Sequence, residues 1–218
     1  METNYSVNRG RAFASGDAMI LIATAVLIGM ILLPMLARTT GCRVRGSRIS
    51  CVNNLKMIGL SFRIYANDNN DRFPMNVPGS EGGAKEAAER GQLFRIFQVM
   101  SNELSIPKVV TCPADDRIPA TNFANFNNAD ISYFVGLDAV DTKPEMILSG
   151  DRNIAINDQL LPGIYPLGTN NPVAWTKAIH KDAGNIGLAD GSVQQVTTTG
   201  LFQQLKKTGD ANRIVFPQ

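Results

Sequence analysis

The sequence predicts an α+β protein in which a long N-terminal helix packs on an antiparallel β-sheet head. An uncharged apolar run is followed directly by an amphipathic helical pattern, and the second half of the chain consists of short β-branched segments between turn-forming residues. An apolar helix face and an apolar sheet face can bury each other as two layers of one domain. The 218 residues are enough for one core of ordinary size and one appendage.

The most apolar part of the chain is AMILIATAVLIGMILLPMLA, residues 18–37, which contains no charged residue. A run of about 20 apolar residues can cross a bilayer as a helix. We therefore predict a basic leader-like segment over residues 1–12 and a transmembrane helix over residues 13–37, kinked near Pro34. A removed signal peptide is the alternative, but its apolar core is usually shorter and precedes a small-residue cleavage site, whereas RTTGCRVRGSR follows here.

Residues 38–66 are predicted to continue this helix in amphipathic form. Apolar side chains recur every three or four residues, which is the spacing of one helix face. They are Cys51, Leu55, Ile58, Phe62 and Tyr65. The following NDNNDRFP contains turn formers that end the helix; it resembles a calcium loop in composition but lacks the EF-hand spacing, so a solvated turn is predicted.

Residues 67–218 are predicted to form the β-rich head. A helix is expected over residues 84–104, with an apolar stripe that docks on the core and consists of Leu93, Phe97, Met100 and Leu104. Strands are expected from five short segments rich in β-branched and aromatic residues. These are KVVTC, ISYFVGL, EMILSGD, NIGLA and SVQQVT. A short helix over residues 201–206 and a tail, RIVFPQ, are expected to close the chain.

Composition and motif content argue against several functions. The net charge of +2 gives no support to nucleic-acid binding. The three cysteines form no CxxC pair and His180 is the single histidine, so a zinc site is not predicted. Triad chemistry needs a nucleophile, a base and an orienting acid, and no serine lies in a nucleophile-elbow motif. We predict neither a catalytic site nor an enzyme.

The segment HKDAGNIGLADGSV holds His180 and, after nine further residues, the pair Asp190-Gly191. Asp-Gly between two strand-like runs predicts a two-residue hairpin, because both turn positions tolerate positive φ. We expect a ring nitrogen of His180 to hold its loop to this hairpin through a hydrogen bond, which is an architectural role. A catalytic or metal-binding role is the alternative.

Several segments together resemble the type IV pilin-like proteins and type II secretion pseudopilins. ISCVNNLKMIGLSFRIYANDNNDRFP comes after an apolar helix ending LLPMLAR, TCP stands at 111–113, and His180 with Asp190-Gly191 fits the H-x9-DG motif of a subgroup with a prepilin-type N-terminus. The resemblance covers nearly the whole chain. It implies a pilin-like fold and a structural subunit of a type II secretion or type IV pilus-like envelope filament, assembling through its N-terminal helix.

The resemblance also implies a short basic leader that a prepilin peptidase removes before a Phe, with an acid four residues later. Phe13 and Asp17 match this motif, whereas Ala12 stands where Gly is usual, so cleavage before Phe13 stays open. Asp17 would pair with the α-amino group of a neighbouring subunit. The alternative is that Asp17 caps its own helix at the positive end of the helix dipole.

The resemblance implies copies of the protein or related pseudopilins, a prepilin peptidase and secretion or pilus assembly proteins as partners. It places one helix in the inner membrane, the N-terminus in the cytoplasm and the head in the periplasm. The arginine distribution alone predicts the reverse orientation, because two arginines precede the apolar run and four follow it closely. Some pseudopilins carry calcium in C-terminal loops, so calcium near the acids of residues 138–158 and 182–190 stays open; no other cofactor is predicted.

In an oxidising periplasm we predict a disulfide between Cys51 and Cys112. Cys51 lies on the helix stripe that faces the head, Cys112 ends the KVVTC segment before a proline, and Cys42 lies off the stripe. A bridge closing about 60 residues is worth roughly 4 kcal/mol by chain entropy. Two buried free thiols are the alternative.

The alternative function is a membrane-anchored periplasmic enzyme or ligand-binding module that uses a His180/Asp site. An anchor needs only hydrophobicity. A filament subunit also needs a basic leader, an acid near the start and a helix that continues into the head. The first part of this sequence has these features, so the filament subunit is favoured.

Overall fold

A computed structural model describes residues 15–157, 159–161, 163–170, 172–208 and 212–217, with the side chains of 15 and 33–45 left undescribed. The chain forms two compact units, Met1–Val44 and Arg45–Gln218. The predicted leader, and with it Ala12 and Phe13, lies outside the described residues.

The first unit contains the beginning of helix α1, which runs from Ser15 to Asp68. Its described apolar side chains are exposed, with Met19 at 73%, Ile22 at 65% and Met30 at 71%. Asp17 lies in the first turn of α1, where the helix dipole stabilises a carboxylate. No helix in the described part of the chain is both long and apolar enough to cross a membrane. The predicted span, 13–37, extends at both ends beyond the described side chains.

In the second unit, α1 buries the predicted apolar stripe. Cys51, Leu55, Ile58 and Phe62 are fully buried, and Tyr65 is 6% exposed. The helix ends at Asp68, and the next turn places Asn70 and Asp71 at φ of 58° and 55°. Asn and Asp tolerate this left-handed conformation better than most residues do. The stripe and the turn that ends the helix are therefore confirmed.

The segment after α1 is broken into shorter pieces than the single helix predicted over 84–104. The helices are α2 (Lys85–Glu89), α3 (Leu93–Val99) and α4 (Ser101–Leu104). The break before α3 includes Gly91 at φ 77°, a conformation that does not continue an α-helix. The predicted stripe is nevertheless buried in the core: Leu93, Phe97, Met100 and Leu104 are at most 1% exposed.

The strand predicted from KVVTC is wrong, because residues Pro107–Val110 form a 3-10 helix. Pro107 is its first residue, and the fixed φ of proline suits the start of a helical turn. Val109 and Val110 are still buried, so the apolar residues belong to the core in a different conformation. Three further 3-10 turns occupy Pro74–Asn76, Gly79–Glu81 and Asn128–Asp130.

Nine strands follow in the described part of the chain, and all their pairings are antiparallel. Six form one sheet in the order β5-β9-β1-β2-β7-β8, and three form a smaller sheet in the order β4-β3-β6. The strands are β1 (Tyr133–Gly136), β2 (Ile147–Asp151), β3 (Ile154–Ile156), β4 (Gln159–Leu160), β5 (Gly163–Leu167), β6 (Val173–Trp175), β7 (Ala183–Leu188), β8 (Val193–Thr197) and β9 (Asn212–Phe216). Helix α5 (Thr198–Thr208) lies between β8 and β9 in sequence.

The prediction that RIVFPQ forms a tail is wrong, because Asn212–Phe216 forms a strand inside the sheet. β9 pairs with β5 on one side and with β1 on the other. Its Ile214, Val215 and Phe216 are at most 1% exposed. Ile214 and Val215 are β-branched, and the preference of such residues for strands agrees with their position in the sheet.

The large sheet is covered by apolar side chains on both faces. Tyr133 and Val135 of β1 share one core with the α1 stripe. Phe134, between them in sequence, joins a second core with Leu201 and Leu205 of α5. This alternation follows from the two-residue period of a strand. The α+β class, the antiparallel sheet and the packing of α1 on the head are confirmed.

Candidate functional site

A disulfide joins α1 to the head. Cys51 of α1 is bonded to Cys112, which follows the 3-10 turn Pro107–Val110, and the two Cα atoms are 5.2 Å apart. Both cysteines are at most 1% exposed. The bond predicted from the sequence is therefore present. It closes a sequence separation of 61 residues, so it restricts the unfolded chain strongly.

His180 lies against this disulfide, in the loop between β6 and β7. Its Nε2 atom is 3.7 Å from Cys112 Sγ and 3.4 Å from Asp151 Oδ2. Its backbone carbonyl accepts a hydrogen bond from the guanidinium of Arg48, on α1. The residue is 3% exposed. Ring and backbone thus both help to hold α1 on the head.

The predicted hydrogen bond from the histidine ring to the hairpin is wrong, because Nε2 faces Cys112 and Asp151 instead. Asp151, at the end of β2, connects His180 to the hairpin. Its Oδ2 atom accepts hydrogen bonds from the backbone N–H and the side-chain Nδ2 of Asn185, at 2.7 and 2.8 Å. Asn185 belongs to β7, the first strand of the hairpin. His180 therefore reaches the hairpin through Asp151.

Burial disfavours the charged forms of both the His180 and the Asp151 side chains. Burial raises the pKa of Asp151 to about 7, against the two hydrogen bonds from Asn185 that favour the carboxylate. Burial, followed by the charge of Arg48, lowers the pKa of His180 to about 4. At neutral pH the imidazole is therefore neutral, and the carboxyl group beside it is near the midpoint of its titration. The second oxygen, Asp151 Oδ1, is buried and has no hydrogen-bond partner among the described residues.

The Asp190-Gly191 pair lies in the β7–β8 turn, as predicted, but the turn is longer than a two-residue hairpin. The Gly191 N–H donates to the Leu188 carbonyl at 2.9 Å, and the Ser192 N–H donates to Asp190 Oδ1 at 2.8 Å. Gly191 has φ 85°, whereas Asp190 is not among the residues with positive φ. This is a three-residue loop that ends in a left-handed glycine, a common alternative to the two-residue hairpin.

The turn packs directly on α1. A Cβ atom added to Gly59 would lie 3.2 Å from the Cα atom of Gly191. A side chain at position 59 would require the turn to shift by a few tenths of an ångström, and the turn itself favours glycine because of its positive φ. The two ends of the H-x9-DG motif therefore contact α1 at different points: His180 near Arg48 and Cys51, and Gly191 at Gly59.

A second buried connection holds the loop after Cys112. Arg152 donates to both carboxylate oxygens of Asp115 at 2.7 Å, and the Asp115 side chain is 2% exposed. Burial raises the pKa of Asp115, but its interactions with Arg152, and also with Asp116 and Ser132, outweigh burial, and the pKa falls to about 2. This ion pair was missed because nothing local in the sequence marks it.

Asp151 and Asn185 were missed as well, although a sequence signal exists. Each lies inside or at the end of a run of strand-forming residues, ILSGD and NIGL. A polar side chain inside such a run is buried only when it has a polar partner. Pairing these two residues with each other would have required the strand register, which the sequence does not contain.

One group of metal-ligating side chains occurs within the described ranges. It consists of Cys51, Cys112 and His180, whose ligand atoms all lie within 4.8 Å of one another. Three of the acids in the two ranges considered for calcium have other partners: Asp138 binds Arg213, Asp151 binds Asn185, and Asp190 accepts from a backbone N–H.

A groove of about 520 Å³ lies beside the disulfide. Its walls include Asn54 of α1, Cys112 and Arg117, but not His180. Asp17 belongs to the first unit and is not part of this site. Comparison of the chain with known protein families, curated proteins and solved structures found no match to any of them.

Proposed function

We propose that the protein is a pseudopilin-like structural subunit of an envelope filament of the type II secretion or type IV pilus kind. The observation that carries the proposal is the different use of α1 in its two stretches. Residues 51–65 bury an apolar stripe in the head, whereas the apolar side chains of residues 19–32 are exposed. Soluble monomers rarely leave a contiguous apolar surface of this kind uncovered.

In this proposal the exposed stretch of α1 lies in the inner membrane before assembly. In the filament, the same stretch of other copies or of related pseudopilins covers it. A prepilin peptidase removes the leader before Phe13, and Asp17 then pairs with the α-amino group of a neighbouring subunit. A carboxylate near the edge of an apolar helix needs such a cation to lie in a membrane at low cost.

The head is proposed to lie in the periplasm and to be fixed rigidly to α1. An oxidising compartment favours the Cys51–Cys112 bond. The H-x9-DG motif adds the contacts of His180 and Gly191 with the same helix. Force along a filament of α1 helices would therefore reach the sheet without moving the helix relative to the head.

The burial of the histidine weighs against the alternative of an enzyme or ligand-binding module built on His180 and an acid. His180 is 3% exposed and Asp151 is fully buried. A general base has to come within hydrogen-bond reach of its substrate. The lowered pKa of His180 also suits a neutral side chain in a closed core.

Reporter fusions after Gln218 test the proposal. We expect activity from a reporter that works only in the periplasm and none from one that works only in the cytoplasm. A matched fusion that lacks residues 1–37 should reverse the pattern, because the export and anchoring segment is gone. Activity of the full-length fusion from the cytoplasmic reporter alone would refute the proposal.

A further inference from the structure

We propose that Cys51, Cys112 and His180 form a closed site for one divalent d10 cation, of the zinc type, when the disulfide is reduced. Asp151, whose Oδ2 atom lies 3.4 Å from His180 Nε2, would be the fourth ligand. The disulfide is then the oxidised, metal-free state of the same site. The inference concerns the head alone and does not depend on filament assembly.

Two of the distances between the proposed ligand atoms already match those of such a site. With Zn–S near 2.3 Å and Zn–N or Zn–O near 2.0 Å, neighbouring ligand atoms in a tetrahedron lie roughly 3.3–3.8 Å apart. His180 Nε2 is 3.7 Å from Cys112 Sγ and 3.4 Å from Asp151 Oδ2. The two sulfur atoms, which are bonded in the oxidised state, have to separate to about the same spacing once the bond is reduced.

The chemical types of the four ligands indicate which ion the site would bind. Two thiolates, an imidazole and one carboxylate suit zinc, whereas calcium takes six to eight oxygen ligands. A neutral imidazole is the form that coordinates a metal. Asp151 Oδ2 already accepts two hydrogen bonds from Asn185, so the carboxylate would bind through Oδ1, which is buried without a partner among the described residues.

The four side chains are buried, but the site lies close to a groove on the surface. Cys51, Cys112, His180 and Asp151 are all at most 3% exposed, as expected for a structural site with four protein ligands. Cys112 nevertheless forms part of the wall of the 520 Å³ groove. This groove provides a path for the ion and for a reductant.

The change of state balances as a two-electron reduction followed by metal exchange. A dithiol supplies two electrons and two protons, the S–S bond breaks, and each cysteine gains an S–H while the dithiol becomes a disulfide. The metal ion then displaces the two thiol protons, which are released. Oxidation of the two thiolates would expel the ion and restore the bond.

The test uses the full chain in detergent with Cys42→Ser, so that the remaining thiols come from the disulfide. The protein is reduced anaerobically with a phosphine, which brings no competing thiol, and titrated with Co²⁺ and then Zn²⁺. We expect one ion per reduced chain, with thiolate-to-cobalt charge-transfer absorption that Zn²⁺ abolishes. The oxidised chain should bind none.

His180→Gln removes the imidazole ligand, and Lys177→Gln, at an exposed position of the same loop, is the matched control. We expect His180→Gln to weaken Zn²⁺ binding by at least about tenfold and Lys177→Gln to leave it unchanged. Equal affinity in both variants would overturn the proposal.

Thermal melting is a second test of the proposal, and it can be used even if reduction destabilises the head. Zn²⁺ should raise the melting temperature of the reduced chain, or restore a lost transition, and should leave the oxidised chain unchanged. A reduced chain that melts in the same way with and without Zn²⁺, and takes up no Co²⁺, would also overturn the proposal.

Discussion

Gly59 of helix α1 and Gly191 of the β7–β8 turn meet so closely that a Cβ atom on Gly59 would lie 3.2 Å from the Cα atom of Gly191. His180, at the other end of the H-x9-DG motif, lies beside the disulfide that starts from Cys51 of the same helix. The motif is thus a two-point attachment of α1 to the sheet. Its single histidine belongs to the architecture of the head.

Gly191→Ala should destabilise the head by about 1–2 kcal/mol, because a residue with a Cβ is strained at φ 85°. Chemical unfolding of the full chain in detergent measures the difference. Gly46→Ala is the control, since this position on α1 has open space around it and alanine favours helix. Equal stability of Gly191→Ala and the unchanged protein would show that the turn does not need a left-handed glycine.

Removing the disulfide with Cys51→Ser and Cys112→Ser together should cost about 2–5 kcal/mol of unfolding free energy. The loss arises because the unfolded chain regains the freedom of a 61-residue separation. Cys42→Ser is the control and should have little effect. Non-reducing peptide mapping of native material checks the bond itself, and recovery of separate alkylated Cys51 and Cys112 peptides would contradict it.

His180→Ala should lower stability by about 2–4 kcal/mol, because a buried ring is lost and a cavity forms beside the disulfide. Hydrogen exchange should show faster opening of α1 around Cys51. Lys177→Ala, on the exposed part of the same loop, should behave like the unchanged protein. An unaltered exchange pattern in His180→Ala would separate the histidine from the attachment of α1.

The folded protein should lose stability in acid when Asp115 becomes protonated. Its pKa falls to about 2 in the folded state, so its ion pair with Arg152 stabilises the fold above the ordinary pKa of 3.8. That contribution, about 2 kcal/mol, is lost as the pH falls from about 4 to 2. Asp115→Asn should therefore flatten the acid limb of the stability curve.

Asp116→Asn is the matched control for this pH dependence. Asp116 also contacts Arg152, at 3.2 Å, but its side chain is 91% exposed. Exposed ion pairs contribute little, but the Asp116 side chain also helps to lower the pKa of Asp115, so this variant should keep most of the acid limb of the unchanged protein. A similar effect from both substitutions would mean that burial of Asp115 does not govern the acid limb.

Local periodicity was enough to predict the parts of the fold that depend on one segment. The stripe from Cys51 to Tyr65 repeats at helical spacing, and burial of these residues follows from that pattern. Because this stripe faces the head, the sequence also allowed the disulfide between Cys51 and Cys112 to be predicted. The stripe from Leu93 to Leu104 is buried as well, although Gly91 at φ 77° breaks the helix predicted there.

Features that depend on distant partners were not predictable in the same way. The strand character of RIVFPQ is clear only from its place between β5 and β1. The Asp151–Asn185 bonds depend on the pairing of β2 with β7, and the Asp115–Arg152 pair joins two loops. The cluster of Cys51, Cys112 and His180 has no CxxC spacing, because its members come from three separate parts of the chain.

The most direct test of the proposed filament role is site-specific photo-crosslinking in native membranes. A photoreactive residue replaces Leu27, an exposed apolar position of α1. We expect crosslinked dimers and higher multimers of the chain, with a lower yield in Asp17→Asn because the proposed pairing with a neighbouring subunit is lost. Adducts with lipid alone, and no protein–protein product at native expression, would contradict assembly through the N-terminal part of α1.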